Sequence, residues 1–442
     1  MSARIISVRL DAAWRRALLV VPVAFVVVVA WLGVRWCFAD EIAQWVPDRD
    51  AALLAERWAP DDPQAQYTLA KMSELTFEPD ALAEAAARYE RAAALSPNDY
   101  RLWLELGRAR GLNGDSAGSE AALRRAVALA PTYPEPRWYL GNLLLREGRD
   151  EEAFAELRRA GDVSPDVYRP QMFNLAWTVF DGDVRKVLDT VGDSPSARGG
   201  FIEYLVGRKY LDDALKLWRA LGADAQRAQS ASGGRLLGAL AEARRYHDAL
   251  AVERDLLAAS DESQLRPSDI AVGQITNGGF ESGVSAPGAV LFDWQIAPLP
   301  GAQMSLDTRS PHDGARSLRV SFEASDNVNF RNVGQLVAVE PQSRYRLEFY
   351  VRTQDLKSAS TVMVAVADAA DPEHPLAATQ TLPLGTADWR QTTLEFSTGA
   401  KTEGVVVSVE RPACDSPLCP IFGKVWYDDF NLQRLGAPAP SR

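Results

Sequence analysis

The chain has 442 residues, 47% of them apolar, and a formal net charge of −11. That length and apolar share fit two or three globular domains, and the acidic balance argues against nucleic acid or an anionic surface as a partner. Three cysteines and three histidines in all leave little material for a zinc site.

The first predicted element is an apolar helix. Ala17 to Val34 reads ALLVVPVAFVVVVAWLGV, roughly 27 Å of helix, near the hydrocarbon thickness of a bilayer. Trp36, Cys37 and Phe38 extend it if Arg35 snorkels to the headgroups. Arg4, Arg9, Arg15 and Arg16 precede the block, and Asp40 and Glu41 follow it. The positive-inside rule then predicts a single-pass anchor spanning 17–38 of a bacterial-type inner membrane, within a segment 1–41 whose N-terminus is cytoplasmic. The remaining chain is expected on the periplasmic side. A leader cleaved after Cys37-Phe38-Ala39 is the alternative; the long block and bulky Trp36 and Phe38 favour the anchor.

Next comes a period. Pro97, Pro131 and Pro165 lie 34 residues apart, each closing a helical segment (AAALSP, AVALAP, AGDVSP). Upstream, Trp103, Leu106-Gly107, Leu123 and Ala126 recur as Trp138, Leu140-Gly141, Leu157 and Ala160, with Leu69, Met72-Ser73, Ala85, Tyr89 and Ala92 in the preceding unit. This pattern resembles the tetratricopeptide repeat. Gly107 and Gly141 fall where two helices approach closely, and Ala85, Ala92, Ala126, Ala153 and Ala160 serve the same packing. Single hairpins cannot bury their faces, so they stack into a solenoid. Weaker units continue through GRKYLDDALKLWRA and ARRYHDALAVERD, giving a repeat domain over 42–259, with His247 expected to be solvated or capping. The resemblance implies a protein partner in a groove along the first helices, lined by Tyr100, Glu105, Arg108, Arg137 and Asn142.

After a linker at 260–274, helical periodicity gives way to short alternating strands. These are predicted at 317–322, 335–339, 345–352, 361–367, 391–396, 405–410 and 425–432, the signature of a sandwich or jelly roll over 275–435 before a flexible tail at 436–442. The ordered pieces ITNGGFESG, GARSLRVSF, YRLEFYVRT, DWRQTTLEF and VWYDDFNL resemble the carbohydrate-binding, galactose-binding-like jelly rolls. The fold class is therefore multidomain α plus β: a transmembrane helix, an α-solenoid and an antiparallel β-sandwich.

That second resemblance implies a structural calcium between the first and last strands, held by Glu281, Asp429 and Asn277 with backbone carbonyls. The alternative is that Asn277-Gly278-Gly279 is only a turn and Asp428-Asp429 only an edge cap. For a glycan, strand 345–352 alternates: Arg346, Glu348, Tyr350 and Arg352 share one face, joined by Asn329, Arg331 and Gln335. The other reading of that face is a solvated surface with cross-strand ion pairs. Trp294, Trp389 and Trp426 read as core. Cys414 and Cys419 are the only cysteines beyond the apolar block. In an oxidising compartment the pair forms a local disulfide, contributing roughly 2 kcal/mol in the chain-entropy model.

No G-x-S-x-G, H-E-x-x-H, phosphate-loop or dinucleotide motif is present, and His312 and His374 sit in Pro-flanked loops. The architecture suggests a non-enzymatic, membrane-anchored envelope scaffold whose repeats hold a protein and whose β domain holds glycan or a second protein. Cell-surface polysaccharide assembly or export is the expected setting. The alternatives are a pure protein–protein scaffold with a structural β domain and a periplasmic glycan-active enzyme.

Overall fold

The structure, a computed structural model, describes residues 13–45, 49–76, 80–260, 265–284, 286, 288–324, 329–414 and 418–436. The expected cytoplasmic residues 1–12, linker residues 261–264 and tail residues 437–442 lie outside that set. The chain divides into two compact units, Met1–Gly192 and Asp193–Arg442. The expected boundary near residue 260 therefore falls inside the second unit.

The first unit begins with α1 (Ala13–Trp45) and α2 (Arg49–Trp58). The expected membrane span is overturned here: among the described residues, no helix is long and apolar enough to cross a membrane. The single-pass placement, with its cytoplasmic N-terminus and periplasmic bulk, falls with the span.

Four helical hairpins follow: α3 (Pro63–Glu74) with α4 (Ala81–Leu95), α5 (Tyr100–Leu112) with α6 (Ser116–Leu129), α7 (Pro134–Arg146) with α8 (Asp150–Val163), and α9 (Pro165–Val179) with α10 (Val184–Val191). Helices α3, α5, α6 and α10 start on side-chain caps, with Asp99 accepting from the Arg101 N–H and Asp115 from the Gly118 N–H, which satisfy otherwise orphaned donors. The glycines act as the period requires. A Cβ on Gly107 would stand 2.6 Å from Leu123 Cγ, and one on Gly141 2.7 Å from Leu157 Cγ. Tyr89, Ala92, Ala126, Leu157 and Ala160 are buried in the spaces so formed. This is a tetratricopeptide-like array.

The second unit opens with α11 (Pro195–Gly207), α12 (Leu211–Arg219), the short α13 (Ala223–Ala228), α14 (Ser230–Glu242) and α15 (Tyr246–Ala259). A single 3-10 turn, Pro267–Asp269, leads into the strands. These are β1 (Gln295–Ile296), β2 (Ala302–Asp307), β3 (Ser317–Ala324), β4 (Val333–Ala338), β5 (Arg344–Ser358), β6 (Met363–Asp368), β7 (Asp371–Ala378), β8 (Gly385–Ser397), β9 (Gly404–Glu410) and β10 (Ile421–Gly436). They form two antiparallel sheets, ordered β1-β4-β9-β6-β7 and β2-β3-β10-β5-β8. Their inner faces share one core, including Trp294, Tyr345, Leu347, Phe349, Val351 and Tyr427.

Helix α15 is fastened to this sandwich. Glu253, 3% exposed, accepts from the Leu291 N–H at 2.8 Å and the Phe292 N–H at 3.0 Å. His247, expected to be solvated or capping, instead donates to the Val339 carbonyl just past β4 at 2.9 Å, a tether between helix and sandwich. Tyr246 packs on Gly404, whose substituent would meet its ring at 2.5 Å. Burial pushes the Glu253 carboxyl above its ordinary range, and the two N–H donors work against that rise. At the other end of the sandwich, Cys414 and Cys419 form the expected disulfide. Arg411 holds its loop by donating to the carbonyls of Ser360 and Cys419.

Candidate functional site

The outward row of β5 positions the expected sugar-facing residues. Arg346, Glu348, Tyr350 and Arg352 are half-buried, alternating with buried Leu347, Phe349 and Val351. Across the ladders, Tyr350 stands between Gln391 of β8 and Asp428 of β10, and Arg352 beside Trp426 of β10. Glu395 bridges Arg344 at 3.0 Å and Arg346 at 2.7 Å, which holds its carboxyl below the usual range.

Aromatic rings gather on this row. The His312 ring stacks on Tyr350 with centroids 3.6 Å apart and planes 16° from parallel. Trp389 meets His312 edge-on at 5.6 Å. The Arg352 guanidinium lies 5.5 Å over the Trp426 ring, a cation–π contact, and Trp426 donates to Asp307 at 2.8 Å. Stacked rings beside guanidinium and amide groups are what a pyranose needs: an apolar C–H face on an aromatic ring and planar donors for hydroxyls.

The structure corrects several expectations. Tyr350 is not a bare platform, because His312 covers one of its faces. Trp389 is half-buried on the outer row, so it is not core; it is the ring left for stacking. Trp294 and Trp426 are buried, at 0% and 4% exposure. Gln335 points inward at 1% exposure, exchanging hydrogen bonds with the Thr276 backbone. Asn329 is an exposed loop residue leading to β4 of the other sheet. Arg331 pairs with Glu410 and Glu373 of that sheet, so neither joins Tyr350. His312 and Trp389 escaped the sequence reading, although one signal existed. Alternation counted back from Phe396 and Leu394 puts Trp389 outward with Gln391, Thr393 and Glu395.

The carboxylates expected to hold calcium are used otherwise. Glu281 accepts from the N–H groups of Ala315 and Arg316 at 2.9 and 3.0 Å. Asp429 takes His312 Nδ1 at 2.6 Å. The Asn277 amide is committed to Ser282 and Gly283. Asp428, fully buried, accepts from the His312 and Asp429 N–H groups at 2.8 and 2.9 Å. Burial pushes its carboxyl up to about 6, against the His312 N–H, which lowers it. Among the described residues no group of three or more His, Cys, Asp or Glu is placed to hold a metal; Glu281, Asp428 and Asp429 are hydrogen-bonded to protein groups. They staple the loop 312–316 that delivers His312.

In the first unit, the expected groove residues separate. Glu105 accepts from Lys71 at 3.0 Å and pairs with Arg108, whose guanidinium lies 5.3 Å over Tyr139. This ladder crosses three successive hairpins on their first helices. Arg137 is instead spent inside its own hairpin, 2.7 Å from Glu156 of α8. Asn142 donates to the Trp138 carbonyl, and Tyr100 tilts against Tyr133 at 5.0 Å.

Residues 272–417 match the family model of a carbohydrate binding domain. No curated protein matches the chain. Similar solved structures include MamA, at 16% identity over 34% of this chain and 84% of that one, with a TM-score of 0.29. YrrB, a TPR protein with an unusual peptide-binding site, is 15% identical over 49% of this chain and 95% of its own, TM-score 0.26. TmCBM61, solved with β-1,4-galactotriose, is 16% identical over 37% of this chain and 99% of its own, TM-score 0.26.

Proposed function

We propose that the chain is a non-enzymatic adaptor that holds a carbohydrate on its β-sandwich and a peptide segment of a protein partner on its hairpins. The match of residues 272–417 to a carbohydrate binding domain carries the first half. The half-buried Trp389, on the outer row of β8 with Gln391, is the expected contact. The Lys71–Glu105–Arg108–Tyr139 ladder supports the second half, since alternating charges and a ring suit an extended peptide of mixed charge. A polysaccharide is the carbohydrate this reading favours, in keeping with a role in cell-surface polysaccharide assembly or export.

Affinity electrophoresis of the full chain through gels containing neutral or acidic polysaccharides tests the carbohydrate half. Retardation should appear in at least one gel. Trp389→Ala should weaken it about tenfold, or 1.4 kcal/mol, without lowering the melting temperature. A chain retarded in no polysaccharide gel would sink this half.

A further inference from the structure

Along β10 the side chains Ile421, Val425 and Tyr427 enter the core, which leaves Phe422, Lys424 and Trp426 on the outward face. Trp426 is 4% exposed, but Phe422 is 42% exposed and Lys424 is exposed beside it. Register sets their neighbours on β5: Lys357 stands opposite Phe422, Gln354 opposite Lys424 and Arg352 opposite Trp426. Arg352 and Lys424 are therefore diagonal neighbours, roughly 7 Å apart at Cβ, which long side chains can bridge.

The charges at this end of the face are unbalanced. Arg319, Arg344 and Arg346, on the same face, each have a carboxylate within 3.5 Å. Lys357 and Lys424 form no ion pair among the described residues. Arg352 has Asp388 at 3.8 Å, a side chain 89% exposed and so weakly held. Glu323 of β3 is exposed on the other flank of Phe422, so an incoming acid meets the cations from the β5 side. Like charges this close repel, and an anion seated among them relieves that repulsion.

An exposed ring edged by cations describes a definite ligand. A pyranose lays its C–H face on Phe422, and a carboxylate on that sugar accepts charge-assisted hydrogen bonds from Lys424 and its neighbours. The chain as a whole carries −11 and repels a dense polyanion. The polymer that fits is largely neutral and carries an acidic sugar at intervals.

We propose that Phe422, Lys424, Lys357 and Arg352 form an acid-selecting subsite beside the Trp389 strip, which takes a carboxylate-bearing sugar of a mostly neutral polysaccharide. The proposal rests on the carbohydrate reading of the β-sandwich, and it adds to it a sugar class and the residues that select it.

Affinity electrophoresis of the full chain in xanthan and gellan, each before and after chemical reduction of its carboxyl groups, tests it. At least one native polymer should bind about tenfold more tightly than its reduced form, the size of one or two charged hydrogen bonds. Lys424→Gln alters an exposed side chain, so it should melt with the parent, lose most of that preference and keep its affinity for the reduced polymer. Glu323→Gln should tighten binding of the native polymer. Trp389→Ala should weaken both forms alike. Equal retardation before and after reduction, retardation in neutral gels alone, or an undiminished preference in Lys424→Gln overturns the subsite alone. Failure in every polysaccharide gel overturns both the subsite and the carbohydrate reading.

Discussion

In the first unit, Lys71, Glu105 and Tyr139 stand 34 residues apart and come together because hairpins stack. In the β-sandwich, His312, Tyr350, Trp389 and Trp426 belong to no repeat. They meet because strands are hydrogen-bonded in the order β2-β3-β10-β5-β8. The first surface is assembled by neighbours along the chain, the second by partners from 37 to 114 residues apart. Damage should therefore spread differently: along nearest-neighbour interfaces in a repeat array, and through one shared core in a sandwich.

Two glycines make that contrast measurable. A Cβ on Gly278 would stand 2.0 Å from the Phe430 carbonyl oxygen, a backbone atom fixed by the Phe430 N–H to Gly278 carbonyl bond. Gly278→Ala should cost roughly 4 kcal/mol or more and lower protection from hydrogen exchange across both sheets. On Gly141 the Cβ meets a side chain, Leu157, at 2.7 Å, which can yield in part. Gly141→Val should cost about 3 kcal/mol, the upper range for overpacking, with faster exchange concentrated in α5 to α10. Loss confined to residues 275–282 in the first variant, or spread evenly over α2 to α10 in the second, would break the comparison.

A smaller effect sharpens it. The Glu253 carboxylate is the acceptor for two N–H groups of the 291–292 turn. Glu253→Ala leaves both without that partner, at about 2 kcal/mol. Exchange at Leu291 and Phe292 should accelerate before any change in the β5 core. Unchanged rates at those two amides would show that the carboxylate does not hold the turn.

Sequence reading reached the two modules by the physics that makes each one regular. The glycine and proline period is local, so Gly107, Gly141 and the hairpins were legible. Alternation is local too, so the outward set of β5 was legible through Tyr350. What the set touches was not, because register decides it: Trp389 and His312 reach Tyr350 only after β8, β5 and β10 are paired. Edge strands escaped for a related reason. β7 carries Pro372 and Pro375 and is exposed along most of its length, which is how edge strands are protected from pairing and also why they lack an apolar rhythm. Gln335 shows the converse error. Its polar side chain suggested the surface, whereas it is buried because it satisfies both backbone groups of Thr276. The apolar N-terminal block misled most, since its composition suggested a span that the described helices do not provide.

The gentlest test uses protons. Asp428 is pushed up to about 6 by burial, above its ordinary 3.8. A carboxyl with a raised folded pKa adds stability at low pH, fully present below its unfolded pKa, and that stability is lost as pH rises through the folded one. Between pH 7.5 and 5.5 the sandwich should therefore gain about 0.8 kcal/mol from Asp428. Glu253, also raised by burial, adds to the same slope, and so does His374, raised by Asp371. Glu395, whose carboxyl Arg346 and Arg344 hold low, opposes it only below the usual carboxylate range, outside this window. Chemical denaturation at half-unit steps, in the His374→Gln background, should show stability rising on acidification. Asp428→Asn should lower stability at every pH, because an amide has one acceptor oxygen for two N–H groups, and should flatten most of the slope. A slope of opposite sign in the parent, or an undiminished one in Asp428→Asn, would mean that Asp428 is not the buried carboxyl that titrates, and that the loop carrying His312 is stapled by something else.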